Sequence, residues 1–507
     1  MDTDPSEVHC LERNAFEVLR SARSINNTLA PINRIPPELF PMILQCWDGG
    51  CTDRNLITLT HVCQRWREVF TAHSTLWTYL KCKDVEKTRV YIERSKASPL
   101  KISLRESREQ PHHYTQDAFL LVIPHISRVT SIMIFGGEEL FETFTVHFAC
   151  PVPLLRHLTL HLSLHPLPVL SSTLFNGNLP SLRTLSLGGI IPHLPWQNLP
   201  QLTAFTLFGL VSKNDISVTR LLDFFSNAPL LREIDLRVLP KSSDAPPGRV
   251  VSLPCLENFK IMTDNTHAST LLNHLSIPAG AILDLAFDFH GSDSPLPDFL
   301  PKNPDNLQNL LHITSAHLCA GPVTIGIKLG GPSGGLDMYG NRKDWRGSDT
   351  MVSERRTLPS LDYFDISRIQ RLAVTAYSFP WHNETDESIQ HVLNIMSDLR
   401  ALFLNQCTSE PFISALDPEQ NHQKLVLCPK LERLVFCVDV KECFLFYIGG
   451  LADMVKGRAS KGSKLRSIIV ITLGGLMFER EVSKLREYVE HVEHRFEKRL
   501  PEWDGVF

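Results

Sequence analysis

Two groups of residues have side chains of the kind that carries chemistry. His157, His161 and His165 recur every fourth residue, the spacing that gathers metal-binding imidazoles on one face of a helix. The same stretch has leucine at 158, 160, 162 and 164. That strict alternation reads as a strand, along which four residues span about 13 Å, so three such rings cannot reach one ion. The row is expected to be a solvated strand face and not a metal centre. The second group, Gly331-Pro332-Ser333-Gly334-Gly335, satisfies G-x-S-x-G behind the strand-like run from Val323 to Leu329. A nucleophile elbow also needs a helix directly after the serine. Leu336-Asp337-Met338-Tyr339-Gly340-Asn341 has turn composition, so a serine hydrolase built on Ser333 is not expected. No G-x-x-x-x-G-K-[ST] stretch offers a phosphate cradle. The 12 cysteines include no C-x-x-C pair, and Cys46 to Cys51 and Cys437 to Cys443 match no zinc module. They read as reduced core thiols. The expectation is no catalytic residue, no cofactor and no structural metal.

Composition narrows the class further. With 507 residues and 43% hydrophobic, the chain can bury a large core, and 21% charged residues exclude wholesale disorder. The 51 Lys and Arg against 55 Asp and Glu give a formal charge of -4. No global field draws in a polyanion, which disfavours nucleic acid as the main ligand. The opening MDTDPSEVHCLERN has no basic stretch leading into an apolar one, so no secretory leader is expected. Ile468 to Phe478 is broken by Thr472 and two glycines and falls short of the roughly 20 residues a membrane crossing needs. The expectation is a soluble protein of the cytoplasm, the nucleus or both, with no membrane partner.

The elements that would position any functional surface follow a repeat. An apolar-x-x-apolar-x-apolar frame recurs as Val129/Ile132/Ile134, Leu155/Leu158/Leu160, Leu182/Leu185/Leu187, Leu202/Phe205/Leu207, Leu231/Ile234/Leu236, Leu256/Phe259/Ile261 and Ile282/Leu285/Phe287. First positions are 26, 27, 20, 29, 25 and 26 residues apart, the leucine-rich-repeat range. The frame returns at Ile369/Leu372/Val374, Leu399/Leu402/Leu404, Leu431/Leu434/Phe436 and Leu465/Ile468/Val470. Each frame predicts one short strand whose inward residues are buried only by stacking against the next repeat. The ladder Asn or Cys expected after the strand is present only in Leu404-Asn405-Gln406-Cys407, so the repeat is irregular. Gly-rich, charged residues 331–357 predict an exposed insertion, and the frame fades between 288 and 368. Val482, Leu485, Val489, Val492, Phe496 and Leu500, at steps of three or four, predict a capping helix within 479–507.

The N-terminal part is helical by pattern. Val8, Leu11, Ala15, Val18, Leu19 and Ala22 predict one amphipathic helix within 1–30 that packs on the segment after it, ending near Asn26, Asn27 and Pro31. Ile35-Pro36-Pro37-Glu38-Leu39-Phe40 opens a second helix, with Leu39, Ile43 and Leu44 as its stripe, Pro41 within its opening turns and Asp48-Gly49-Gly50 as its stop. A third runs from Asp53 with Leu56, Leu59, Val62, Cys63, Trp66, Val69 and Phe70 on one wide stripe. A unit this small cannot hide so much apolar surface within itself, so part of it should face a partner or a neighbouring domain.

The order Ile35-Pro36, Glu38-Leu39, Ile43, Val62-Cys63, Trp66, Leu76-Trp77 resembles an F-box, over residues 31–82. Val90, Arg94-Ser95 and Ser98-Pro99-Leu100 are similar to the segment that comes after it in many fungal F-box-like proteins. The implied fold class is α/β: all-α F-box-like helices, then an irregular leucine-rich-repeat solenoid over 83–478 with a curved parallel sheet. The resemblance implies a substrate-recognition subunit of an SCF-type (cullin-RING) ubiquitin ligase. It would dock on a Skp-type adaptor, and through it a cullin, by Ile35, Pro36, Leu39, Ile43, Val62, Trp66, Leu76 and Trp77. By strand parity the protein-substrate surface would comprise His157, Thr159, His161, Thr184, Ser186, Thr206, Phe208, Glu233, Asp235, Arg237, Asn258, Lys260, Phe403, Asn405 and Arg433. The alternative is a leucine-rich-repeat-like interaction scaffold with no ligase link.

Overall fold

The computed structural model describes residues 5–45, 53–106, 113–162, 174–189, 199–209, 217–237, 239, 243–263, 268–288, 299–320, 324–341, 359–376, 386–405, 409–421, 424–439, 448–473 and 483–497. It is a mixed α/β structure with an N-terminal helical segment and a large, mostly parallel sheet. The chain divides into two compact units, Met1–Thr184 and Leu185–Phe507.

The first unit opens with α1 (Pro5–Leu29), α2 (Leu39–Gln45), α3 (Asp53–Thr60) and α4 (Gln64–Ala72). The third predicted helix is thus two. The Arg67 Nε donates to the Thr60 carbonyl at 3.0 Å, closing α3 before the extended Cys63 starts α4. Pro41 is the third residue of α2, where a missing N–H costs no intrahelical bond. The predicted stop at 48–50 lies outside the described residues. Against expectation, α1 does not bury its stripe: every described side chain from 8 to 29 is exposed.

Short strands come next: β1 (Tyr79–Leu80), β2 (Leu100–Arg105), β3 (Val129–Gly136) and β4 (His157–Leu162), all parallel, with helices α5 (Val85–Ser95), α6 (His113–Leu120) and α7 (Glu138–His147) between them. The frame residues stack in register. Ile102 faces Ile132, which faces Leu158, and Leu104 faces Ile134, which faces Leu160, all buried. Behind them Phe119, Phe144, Phe148 and Phe175 pack ring on ring at 4.6 to 5.9 Å.

The strand β5 (Thr184–Gly188) carries the boundary. The second unit continues with β6 (Ala204–Phe208), α8 (Val218–Ser226), β7 (Glu233–Leu236), β8 (Val251–Ser252), β9 (Asn258–Thr263), α9 (Ala268–Leu272), β10 (Leu275–Ser276) and β11 (Ile282–Asp288). β6, β7, β9 and β11 pair parallel in that order, and β8 pairs with β10 apart from them. The region where the frame fades holds β12 (Ser315–Ala320), β13 (Thr324–Gly330) and β14 (Gly335–Asn341). They correct the all-parallel expectation. β11 pairs with β14, and β13 runs antiparallel to both β14 and β12 before β12 meets β15 (Arg371–Ala376). Residues 335–341 of the predicted exposed insertion are therefore a central strand; 342–357 lie outside the described residues.

The parallel order resumes through α10 (Asp386–Ile395), β16 (Ala401–Asn405), α11 (Ser409–Leu416), β17 (Arg433–Asp439), α12 (Ile448–Ser460) and β18 (Ser467–Leu473). The predicted terminal helix is corrected to β19 (His491–Glu497), parallel to β18. Val492 and Phe496 are four apart, a spacing that shares one face of either a helix or a strand, and the open edge of β18 takes them as a strand. Val482 and Leu500 lie outside the described residues.

Trp77 is 1% exposed, and its indole N–H donates to the Phe70 carbonyl at 2.8 Å. Trp77→Ala is expected to cost about 3 to 5 kcal/mol of stability, whereas Leu39→Ala, on the surface, should cost under about 1 kcal/mol. Denaturant midpoints of the two variants check this.

Candidate protein-interaction surfaces

The F-box-like stretch separates into a folded side and an open side. Phe40, Trp66 and Phe70 meet edge to face at 5.2 to 5.9 Å, and Phe40, Leu44, Leu56 and Phe70 are buried. Asn33, which no sequence pattern singled out, is the polar node. Its Oδ1 accepts from the Trp66 indole N–H and its Nδ2 donates to the Asn27 carbonyl, each at 2.6 Å. One buried amide thereby ties the end of α1 to α4. An Asn before a helix is a turn residue by type, so nothing in the sequence marked it.

Of the eight proposed adaptor contacts, Leu39, Ile43 and Val62 are 42%, 53% and 54% exposed, and Pro36 is exposed with them. Ile35, Trp66 and Leu76 are half-buried. Trp77 is a correction. Tyr91 packs edge-on against it at 4.9 Å and the Arg94 guanidinium sits 4.3 Å from its ring centre, so α5 seals it into the core. Ile32, Met42 and Ile57, not foreseen, are exposed as well. α2 therefore turns Phe40 and Leu44 inward and Leu39, Met42 and Ile43 outward, as i, i+3, i+4 periodicity requires.

The outward strand positions divide into three zones. In the first unit His157 is exposed, and Thr159, His161 and Thr184 are half-buried. The His157 Nδ1 lies 3.2 Å from the Thr184 hydroxyl. Burial first, then the neighbouring Lys101, Arg156 and Arg183 charges, hold the His157 imidazole below its ordinary range; burial does the same for His161. His165 lies outside the described residues.

In the second unit Ser186, Thr206, Phe208 and Asp235 are half-buried, and Glu233, Arg237 and Asn258 are exposed. A row of charge crosses six neighbouring strands: Asp235, Lys260, Asp284, Asp337, Lys328 and His317 are successive cross-strand partners. Arg237 pairs with Asp235 at 3.0 Å and Lys260 with Asp284 at 3.1 Å. Only Asp235, Arg237 and Lys260 of this set were anticipated; His317, Lys328 and Asp337 lie where the frame fades, whereas Asp284 stands within the Ile282/Leu285/Phe287 frame and was passed over. Burial raises the Asp337 carboxyl above its ordinary range; Lys328 opposes the shift and the facing Asp284 adds to it.

The third zone corrects the parity argument. Phe403 and Asn405 are each 1% exposed. Phe403 belongs to a buried cluster with Ala373, Val435, Cys437, Ile469 and Ile471, and Arg433 is half-buried. Both faces of β15 to β18 are therefore covered. The signal was in the sequence. LTL-type alternation marks β4, but Ile468-Ile469-Val470-Ile471 is a continuous apolar run, the mark of a strand buried on both sides.

Ser333 stands in the turn of the β13–β14 hairpin, where the Gly331 N–H donates to the Gly334 carbonyl at 2.9 Å. A strand comes after it, not a helix. A Cβ at Gly331 would collide with the His312 carbonyl, and one at Gly335 with the Leu329 carbonyl. Close backbone approach accounts for the glycines that completed the G-x-S-x-G match. Among the described residues no group of three or more His, Cys, Asp or Glu is placed to hold a metal ion, and no helix is long and apolar enough to cross a membrane.

No protein-family model matches the chain, and no curated protein does. A solved structure that does match is that of the TLR13–ssRNA13 complex, at 13% identity over 74% of this chain and 44% of that chain, with a TM-score of 0.30. The chain spans less than half the length of that protein. At that TM-score the likeness does not establish a shared fold.

Titration and thiol reactivity each have an expected outcome. A carboxyl whose folded-state pKa exceeds its unfolded value weakens the fold as pH rises through the interval between them. Asp337→Asn is therefore expected to raise the unfolding midpoint at neutral pH and to flatten its fall from mildly acid to neutral pH. Burial pushes the Cys82 and Cys428 thiols up to about 12, whereas Cys10 is exposed. Iodoacetamide on the native protein should label Cys10 and leave Cys82 and Cys428 unmodified, read by peptide mass mapping.

Proposed function

We propose that the chain is a non-catalytic, soluble substrate-recognition subunit of an SCF-type ubiquitin ligase, acting in the cytoplasm, the nucleus or both. Its F-box-like segment docks on a Skp-type adaptor, and through it a cullin, while an irregular leucine-rich-repeat solenoid holds a protein substrate. The supporting observation is the division of labour within the motif. Leu39, Ile43 and Val62 occupy motif positions yet stand in solvent, while Phe40, Leu44 and Phe70 beside them build the interior. Exposed apolar clusters of this kind mark interaction sites. The proposed contact is centred on Pro36, Leu39, Ile43 and Val62, with Trp66 and Trp77 setting the shape of the segment instead of touching the partner. In-register parallel strands, each burying its inner leucines against the next, support the solenoid half of the reading.

The test is capture of a purified Skp-type adaptor by the full chain. Leu39→Asp combined with Ile43→Asp should abolish capture, since each buried anchor of an interface contributes about 2 kcal/mol or more, while the melting temperature stays near that of the parent. Capture that survives both charges refutes this docking face. Failure of the parent chain to bind leaves the alternative, an interaction scaffold without a ligase link.

A further inference from the structure

The three strands β2, β3 and β4 contain no Asp or Glu, in a chain whose net charge is -4. Their outward positions instead carry Lys101, Arg105, His157 and His161. Register brings these together: Lys101 faces Ser131, which faces His157, and Arg105 faces Phe135, which faces His161. The Arg105 guanidinium lies 4.9 Å from the Phe135 ring centre, and His161 meets the same ring edge-on at 4.7 Å. Arg156, exposed, borders the row where β4 begins. Among the described residues no carboxylate pairs with Lys101, Arg105 or Arg156 in an ion pair. Lys101 and Arg105 are four residues apart on β2, about 13 Å, and the three strands together span about 10 Å.

We propose that this strand face of the first unit binds an extended acidic peptide, its carboxylates seated between Lys101, Arg105 and Arg156 and its backbone lying over Phe135. The face is about four extended residues long, and alternate side chains of such a peptide point the same way about 7 Å apart, so two or three carboxylates meet it at once. Burial first, and then the Lys101, Arg156 and Arg183 charges, depress the His157 imidazole, in keeping with a positive face. A peptide fits better than a nucleic acid because two unpaired cations on a sheet face and one at its border, in an overall acidic chain, neutralise too few phosphates for useful affinity. The inference rests on the substrate-holding half of the proposed function and is independent of the adaptor half.

Fluorescein-labelled (Glu-Ala)4 is titrated with the full chain at low salt and followed by anisotropy. Binding is expected, weakening with added salt. Lys101→Glu with Arg105→Glu should weaken it about tenfold or more, since two reversed contacts at about 0.7 kcal/mol each already reach that factor. Lys101→Gln with Arg105→Gln should fall between, and Arg371→Glu, on β15, should match the parent. No binding by the parent, equal binding by the double charge reversal, or tighter binding of an octaribonucleotide or of phosphatidylserine vesicles than of the peptide would each overturn the proposal. Adaptor capture by the same preparations separates the two readings: a variant that captures adaptor but not peptide is folded, and a parent that does so refutes only the acidic-peptide inference.

Discussion

The structure depends on one constraint: no strand of this chain can bury its own leucines. A five- or six-residue strand presents two or three apolar side chains to the inside, and they leave water only when the next strand lays its own across them at the parallel spacing. The run Ile102, Ile132, Leu158 and its neighbour Leu104, Ile134, Leu160 are this requirement met residue by residue. The apolar-x-x-apolar-x-apolar frame persists through intervals of 20 to 34 residues because it is the strand's inner face that must match, whereas the connection between strands has only to return.

That tolerance leaves room for aromatic packing behind the strands. Phe119, Phe144, Phe148 and Phe175 fill the space behind the first strands, and Phe205, Phe224 and Phe225 do the same in the second unit. Rings of that size accept several tilts, so successive repeats need not be identical. The excursion through β12, β13 and β14 is the extreme case. A glycine-rich hairpin is inserted between β11 and β15, and parallel pairing is recovered on both sides of it.

The same economy governs the N-terminal helices. Two tryptophans of similar sequence character have different fates because of their neighbours. Trp77 is enclosed by Tyr91 and Arg94 of α5, while Trp66 stays half-open, steered by the Asn33 amide. With its aromatic residues committed inward, the segment leaves aliphatic side chains facing water. That pattern is what gives Leu39, Ile43 and Val62 their importance for the proposed docking.

Strand positions, the helical N-terminus and the inward leucines were legible in the residue pattern, since burial of one face imposes a period that composition cannot conceal. On α2 the single stripe read from the sequence, Leu39, Ile43 and Leu44, divides: Leu39 and Ile43 are exposed and Leu44 is buried. Other features depended on elements far apart in the chain. Whether Phe403 and Asn405 face solvent depends on whether a second layer covers β16, which parity along one strand does not report. Val492 and Phe496 suit a helix or a strand equally, and the open edge of β18 settled the matter. Asn33 with Trp66, Asp284 with Asp337, and Lys101 and Arg105 with His157 and His161 became neighbours only through strand register and helix packing. A side chain's type and spacing state what it can bury or donate, but its partner is chosen by whichever distant backbone the fold brings within a few ångströms.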